Sequence, residues 1–186
     1  MSDVVTIGCP HRGSSVSDLL MKAARLSGAE SLVASLTAKR DSRLKVLLGR
    51  LPESGHALTT ARALEWNAQT PDKAGVSYAS VGGSRGSRRR TSPGLKLTWE
   101  YVDAALLLLL PPHYCHSPHL SLRYLASTEG PNDGLVSVES ARWGTDLGVA
   151  DADHMMQVDM SDAHSMAGTQ EWAMEDTWGR VAEAVR

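Results

Sequence analysis

Short β-branched runs separated by stretches of helical periodicity constrain this chain more than any other feature. Residues 4–7 read Val4–Val5–Thr6–Ile7 and are closed by Gly8 and Pro10, the pattern of a short buried strand. Residues 14–26 carry Val16, Leu19, Leu20 and Ala23 at helical spacing. Further helices are predicted over 30–51, as one or two segments ended by Pro52 and Gly55, and over 58–66. A second strand is predicted at 76–81 and a third at 122–126, with helices at 99–110, 138–147 and 170–185. Strands alternating with helices point to an α/β layered architecture around a mostly parallel sheet. A strand so close to the first residue means that the chain starts almost inside its own sheet.

Composition narrows the class. The 186 residues are 42% hydrophobic and 22% charged, which is globular usage. A formal charge of −2 argues against a chain-wide basic surface, so no nucleic-acid partner is expected. With 2 Cys there is no disulfide scaffold, and stability must come from a core built without Phe. The N-terminus lacks a basic n-region followed by an apolar stretch and lacks an Arg-rich presequence, so an intracellular location, mitochondrial or cytoplasmic, is expected. The longest apolar run, residues 104–110, stops at Pro111 and Pro112, far short of the roughly 20 residues that span a bilayer. It reads as the end of a helix, with contact at a membrane surface as the alternative.

Two distant segments carry chemistry. Asp133 lies in Gly130–Pro131–Asn132–Asp133–Gly134–Leu135–Val136, directly after the predicted third strand. His154 ends Asp151–Ala152–Asp153–His154, in a loop beyond the predicted helix 138–147. Functional groups of open α/β sheets sit on loops beyond the carboxyl ends of strands. An Asp and a His delivered there can pair, the carboxylate fixing the imidazole tautomer and stabilising its charged form. A turn residue and a surface histidine are the competing reading. The order, acid before histidine, is that of α/β-hydrolases.

Other constellations are weaker. His113, Cys115, His116 and His119 are zinc-type ligands, but their H-x-C-H-x-x-H spacing lacks paired ligand halves and reads as a polar loop. Cys9 reads as a small buried hydrophobe. Arg85, Arg88, Arg89 and Arg90 fall in a Gly/Ser-rich stretch, residues 82–94, that reads as a solvated flexible loop. The Trp and Met spacing of residues 170–185 reads as a core-facing helix side.

EGPNDGLVSVESARWG at 129–144, followed by DADH at 151–154, resembles the acid-and-histidine region of lipases of the fungal mitochondrial triacylglycerol lipase group. TIGCPHRGSSVSDLL at 6–20 is similar to the segment that follows the nucleophile elbow in that group, and LTTARALEWNAQTPDKAGVSYASVGG at 58–83 resembles its middle stretch. The resemblance implies a partial α/β-hydrolase domain over 1–186, with Asp133 as triad acid and His154 as general base. It implies acylglycerol or another ester lipid as substrate, and transient contact with a membrane or lipid-droplet surface. In that group the nucleophilic serine sits in a G-H-S-x-G elbow upstream of the PHRGS segment, and only nine residues precede Pro10 here. Ser165, in Ala163–His164–Ser165–Met166–Ala167–Gly168, superficially copies an elbow, but it follows His154 and no β-branched run leads into it; a helix start is the better reading. Bacterial relatives hold calcium with a carboxylate two residues after the histidine. That position is Met156, a poor ligand for a hard cation, so neither a metal nor a cofactor is expected.

Residues 83–119 fit the group badly and read as inserted or replaced. The chain is therefore expected to be a lipase-like hydrolase chain with acid and histidine but no credible nucleophile. The alternative is an inactive fragment or pseudoenzyme that acts as an interaction module, and a metal- or nucleic-acid-binding module around His119 and Arg88 is a third reading. A strand at 4–7 that lacks earlier neighbours leaves a sheet edge open to self-association.

Overall fold

Parallel strands need long crossovers between them, and the described residues hold three such strands, joined by segments of that length. A computed structural model describes residues 2–27, 55–84, 120–158 and 169–184. The helices expected over 30–51 and 99–110, the Arg cluster, the His113–His119 group and Ser165 lie outside the described residues. Strand β1 (Ser2–Ile7) leads into helix α1 (Ser15–Ser27); helix α2 (Thr60–Gln69) leads into β2 (Val76–Gly83). Then follow α3 (Leu120–Thr128), the one-turn α4 (Val138–Ala141), β3 (Thr145–Ala150), a 3-10 turn at Met156–Val158 and α5 (Thr169–Ala184). Among the described residues the sheet order is β1-β2-β3, all parallel, with Val4 opposite Tyr78 and Ser80 opposite Asp146. Among the described residues β1 pairs with β2 alone, and Val4 is 41% exposed.

Three expectations are corrected. Residues 122–126 are not a strand: they lie within α3, where Leu125 is the side chain turned fully inward. The helix expected over 138–147 stops at Ala141, and Thr145–Ala150 is the third strand instead. Gly144 breaks the run between them with φ +61, a conformation that favours glycine. Gly82 and Gly83 are not loop residues but the buried end of β2.

Helix starts follow local chemistry. Ser137 caps α4 by accepting from the Ser140 N–H at 3.0 Å. Asp18 of α1 accepts from the backbone N–H and the hydroxyl of Thr60 at 3.0 and 2.7 Å, anchoring the start of α2. Apolar side chains gather in two clusters. Val81, Ala150, Ala152 and Met156 pack with Leu147 and Val181, joining β2 and β3 to α5. Val16 and Leu125 pack with Leu19, Leu20 and Tyr124, joining α1 to α3. Leu125 has no solvent exposure in a cluster this small. Leu125→Ala should therefore lower the unfolding free energy by about 2–5 kcal/mol, read from a urea titration.

Candidate active site

The loop after α3 builds its own frame. Gly130, at φ +90, bonds back to the Leu125 carbonyl at 3.0 Å and closes the helix. Asn132 accepts from the Gly134 N–H at 2.9 Å, and the Val138 N–H reaches the Pro131 carbonyl at 2.9 Å. Between these ties sits Asp133, 1% exposed. Its Oδ1 accepts from the Leu135 and Val136 N–H groups at 3.0 and 2.8 Å. Its Oδ2 accepts from His154 Nδ1 at 2.8 Å and from Gln157 Nε2 at 2.8 Å. Both oxygens are thus filled by donors.

His154 is fixed independently of its ring. Its backbone N–H donates to the Asp133 carbonyl at 3.0 Å. The neighbouring Asp153 accepts from the Met155 and Met156 N–H groups at 3.1 and 3.0 Å, starting the 3-10 turn. The sequence segments that carry the two residues therefore meet, with Asp133 in a loop after a helix rather than after a strand, and His154 in the loop after β3. Because an ionised carboxylate can only accept, Nδ1 carries the proton and Nε2 is the basic nitrogen. The His154 side chain is 29% exposed, so the ring is partly open to solvent. Burial opposes the charged ring, but the charge and hydrogen bond of Asp133, helped by the charge of Asp153, outweigh it and hold the His154 pKa above its ordinary 6.5.

The first glycine-rich loop closes the other side. Ser14 donates to the Leu135 carbonyl at 2.8 Å, and the Ser15 N–H donates to Glu129 at 2.9 Å. A Cβ on Gly8, just past β1, would lie 3.0 Å from Gln157 Nε2 and 3.3 Å from Asp133 Oδ2. A Cβ on Gly83, at the end of β2, would collide with the Gln157 amide. The pair thus sits at the carboxyl ends of the parallel strands, where such sheets place their functional groups.

Gln157 is the residue that sequence reasoning missed. Its only signal was its place three residues beyond the histidine, on the turn that the histidine begins. Cys9 is exposed rather than buried, and the partial desolvation its sulfur does meet pushes the thiol pKa up. His11 stacks on Trp143 with ring centroids 5.0 Å apart and bonds Thr6 at 2.9 Å, away from the pair. Met156 is fully buried in the β2–β3 cluster, and no group of three metal-ligating side chains occurs among the described residues.

This arrangement defines a class: a partial α/β-hydrolase fold, in which an acid and a histidine follow one another at the carboxyl edge of a parallel sheet. Solved structures share the fold. A metagenomic carboxyl esterase matches with a TM-score of 0.58 and 20% identity, over 100% of this chain and 49% of that one. Staphylococcus hyicus lipase matches with a TM-score of 0.53 and 15% identity, over 99% of this chain and 56% of that one. The chain is lipase-like in sequence as well: it is 31% identical over 153 residues to triacylglycerol lipase 2 of Saccharomyces cerevisiae, covering 82% of this chain and 36% of that protein. It thus spans about a third of that relative and about half of the solved structures. No protein-family profile matches it. Among the described residues no helix is long and apolar enough to cross a membrane.

Proposed function

We propose that the chain supplies the acid and the base of a serine-type ester hydrolase acting on acylglycerols or related ester lipids. One observation carries this reading: the buried Asp133 carboxylate holds His154 Nδ1 at 2.8 Å while the ring stays partly open to solvent. In this role Nε2 takes the proton of an attacking hydroxyl as it adds to the ester carbonyl. The same nitrogen then returns the proton to the departing alcohol, and Asp133 steadies the imidazolium between the two steps. No hydroxyl among the described residues bonds Nε2. Hydrolysis of a short-chain p-nitrophenyl ester by the 186-residue chain, abolished in His154→Ala, supports the reading. Equal rates in the two proteins overturn it.

The raised pKa of His154 gives this reading a pH signature. A general base must be neutral, so the acid limb of the rate profile should have its midpoint above 6.5. Stability runs the other way. A folded pKa above the unfolded value adds stability that is complete below the unfolded pKa and is lost as pH rises through the folded one. Wild type should therefore exceed His154→Gln in urea midpoint by more at pH about 5.5 than at pH about 8.5.

A second reading rests on the edge of β1, which among the described residues pairs with β2 alone and where Val4 is 41% exposed. Such an edge accepts another strand, so the chain acts as an interaction module, by self-association or by docking a complementary polypeptide, with little or no activity of its own. Sedimentation of the isolated chain as a monomer at all concentrations counts against self-association. We further propose that the ester lipid is met at a membrane or lipid-droplet surface, in mitochondria or cytoplasm; flotation with triolein droplets tests that contact.

A further inference from the structure

The Gln157 side chain is almost completely buried, at 1% residue exposure, yet half of its amide is idle. Its Nε2 donates to Asp133 Oδ2 at 2.8 Å, the same oxygen that His154 Nδ1 uses. Its Oε1 has no partner among the described residues. A buried acceptor left unmet is costly. Turning the amide over would not relieve it, because Oε1 would then face the carboxylate, acceptor against acceptor. The orientation is dictated by Asp133, and the orphaned oxygen is the consequence.

The backbone keeps this amide in place. The Gln157 N–H donates to the Asp153 carbonyl at 3.2 Å, within the turn that also fixes His154. The space it fills exists because Gly8 and Gly83 end their strands without side chains; a methyl on Gly83 would overlap the amide and stand 2.9 Å from the Ala152 carbonyl. Sheet, turn and side chain therefore converge on one carboxylate oxygen.

We infer that Gln157 is a positioning residue for the Asp133–His154 pair: its amide fixes the rotation of the carboxylate and draws off part of the negative charge that would otherwise act on the ring. This rests on the proposed roles of Asp133 and His154. The charges acting on the ring are those of Asp133 and Asp153. With the amide donor gone, the Asp133 carboxylate gives its charge undivided to the imidazolium, and the ring holds its proton more tightly.

The test is an NMR titration of His154 in the full chain, with the ring assigned by His154→Ala. Gln157→Met keeps the volume and removes the donor. Gly83→Ala leaves the glutamine and displaces its amide. Both should raise the His154 pKa by about one unit, about tenfold in proton affinity. Two folded variants titrating at the wild-type value would reduce Gln157 to packing, and failure of both to fold would do the same. If one fails to fold, the other decides. A parallel ester assay separates this inference from the proposed function. Where wild type hydrolyses the ester, Gln157→Met should lower kcat about tenfold and leave KM within about twofold. A wild type without hydrolysis counts against the functional reading alone, and the titration still decides the role of Gln157.

Discussion

Asp133→Ala should unfold at a much lower urea concentration than wild type, with a loss of about 3–5 kcal/mol. The substitution removes the acceptor for four donors at once. The N–H groups of Leu135 and Val136, the Gln157 amide and the His154 ring all point at one buried carboxylate. Each donor left inside without a partner keeps its full desolvation cost. Asp133→Asn should behave differently. An amide oxygen in place of Oδ1 still accepts the two backbone N–H groups. The new NH₂ group then faces His154 and Gln157, and Gln157 can turn its idle Oε1 toward it. Most of the stability should survive. The chemistry should not, because an NH₂ group facing Nδ1 selects the tautomer with its proton on Nε2, which cannot accept another. Where the ester assay gives a rate, Asp133→Asn should lower it by about 10⁴-fold. The two variants together separate the fold's need for this carboxylate from the site's need for its charge.

Gly144→Ala should be the most damaging methyl addition outside the site, at about 2–5 kcal/mol in urea unfolding. Gly144 holds φ +61, where an L side chain is strained by about 1–2 kcal/mol. Its added Cβ would also collide with the Tyr78 carbonyl oxygen and lie 2.5 Å from the carbonyl carbon. Backbone inside a sheet cannot step aside, so overpacking adds about 1–3 kcal/mol. The damage falls where β3 begins. Trp143 is tied to that point by its N–H to the Ser80 hydroxyl at 2.8 Å and by its indole to Asp72 at 2.9 Å. Gly75→Ala is the control: φ is +80 but nothing lies within 4 Å of the added Cβ, so backbone strain alone, about 1 kcal/mol, should remain.

These two positions also show how far the sequence could be read. The alternation of β-branched and helical segments placed β1, α1, α2, β2 and α5 within a few residues. The resemblance to lipases pointed to Asp133 and His154 before any geometry was known. The third strand was misplaced for a physical reason. Leu122 to Ala126 offers apolar residues in a short run, which periodicity alone cannot distinguish from one face of a helix. The real strand contains Asp146 and Gly148, residues that disfavour extended structure in isolation. Pairing with β2 overrides that preference, with an irregular register between Ser80 and Gly82. Gln157 was illegible because its meaning depends on two glycines far away in sequence, at positions 8 and 83, whose missing side chains no local pattern connects to it.

The parallel order of the sheet bears on how the chain comes to exist. The Thr6–Ala79 contact joins residues 73 apart, and the Trp143–Ser80 contact joins residues 63 apart. Each neighbour must wait for a long crossover to be made first. At ordinary ribosomal speeds of about 5–20 residues per second, β1 emerges about 4–15 seconds before the strand it pairs with. For that interval β1 waits without its β2 partner, and shelter of its Val4, Val5 and Ile7 side chains from other nascent chains then favours the yield of folded protein.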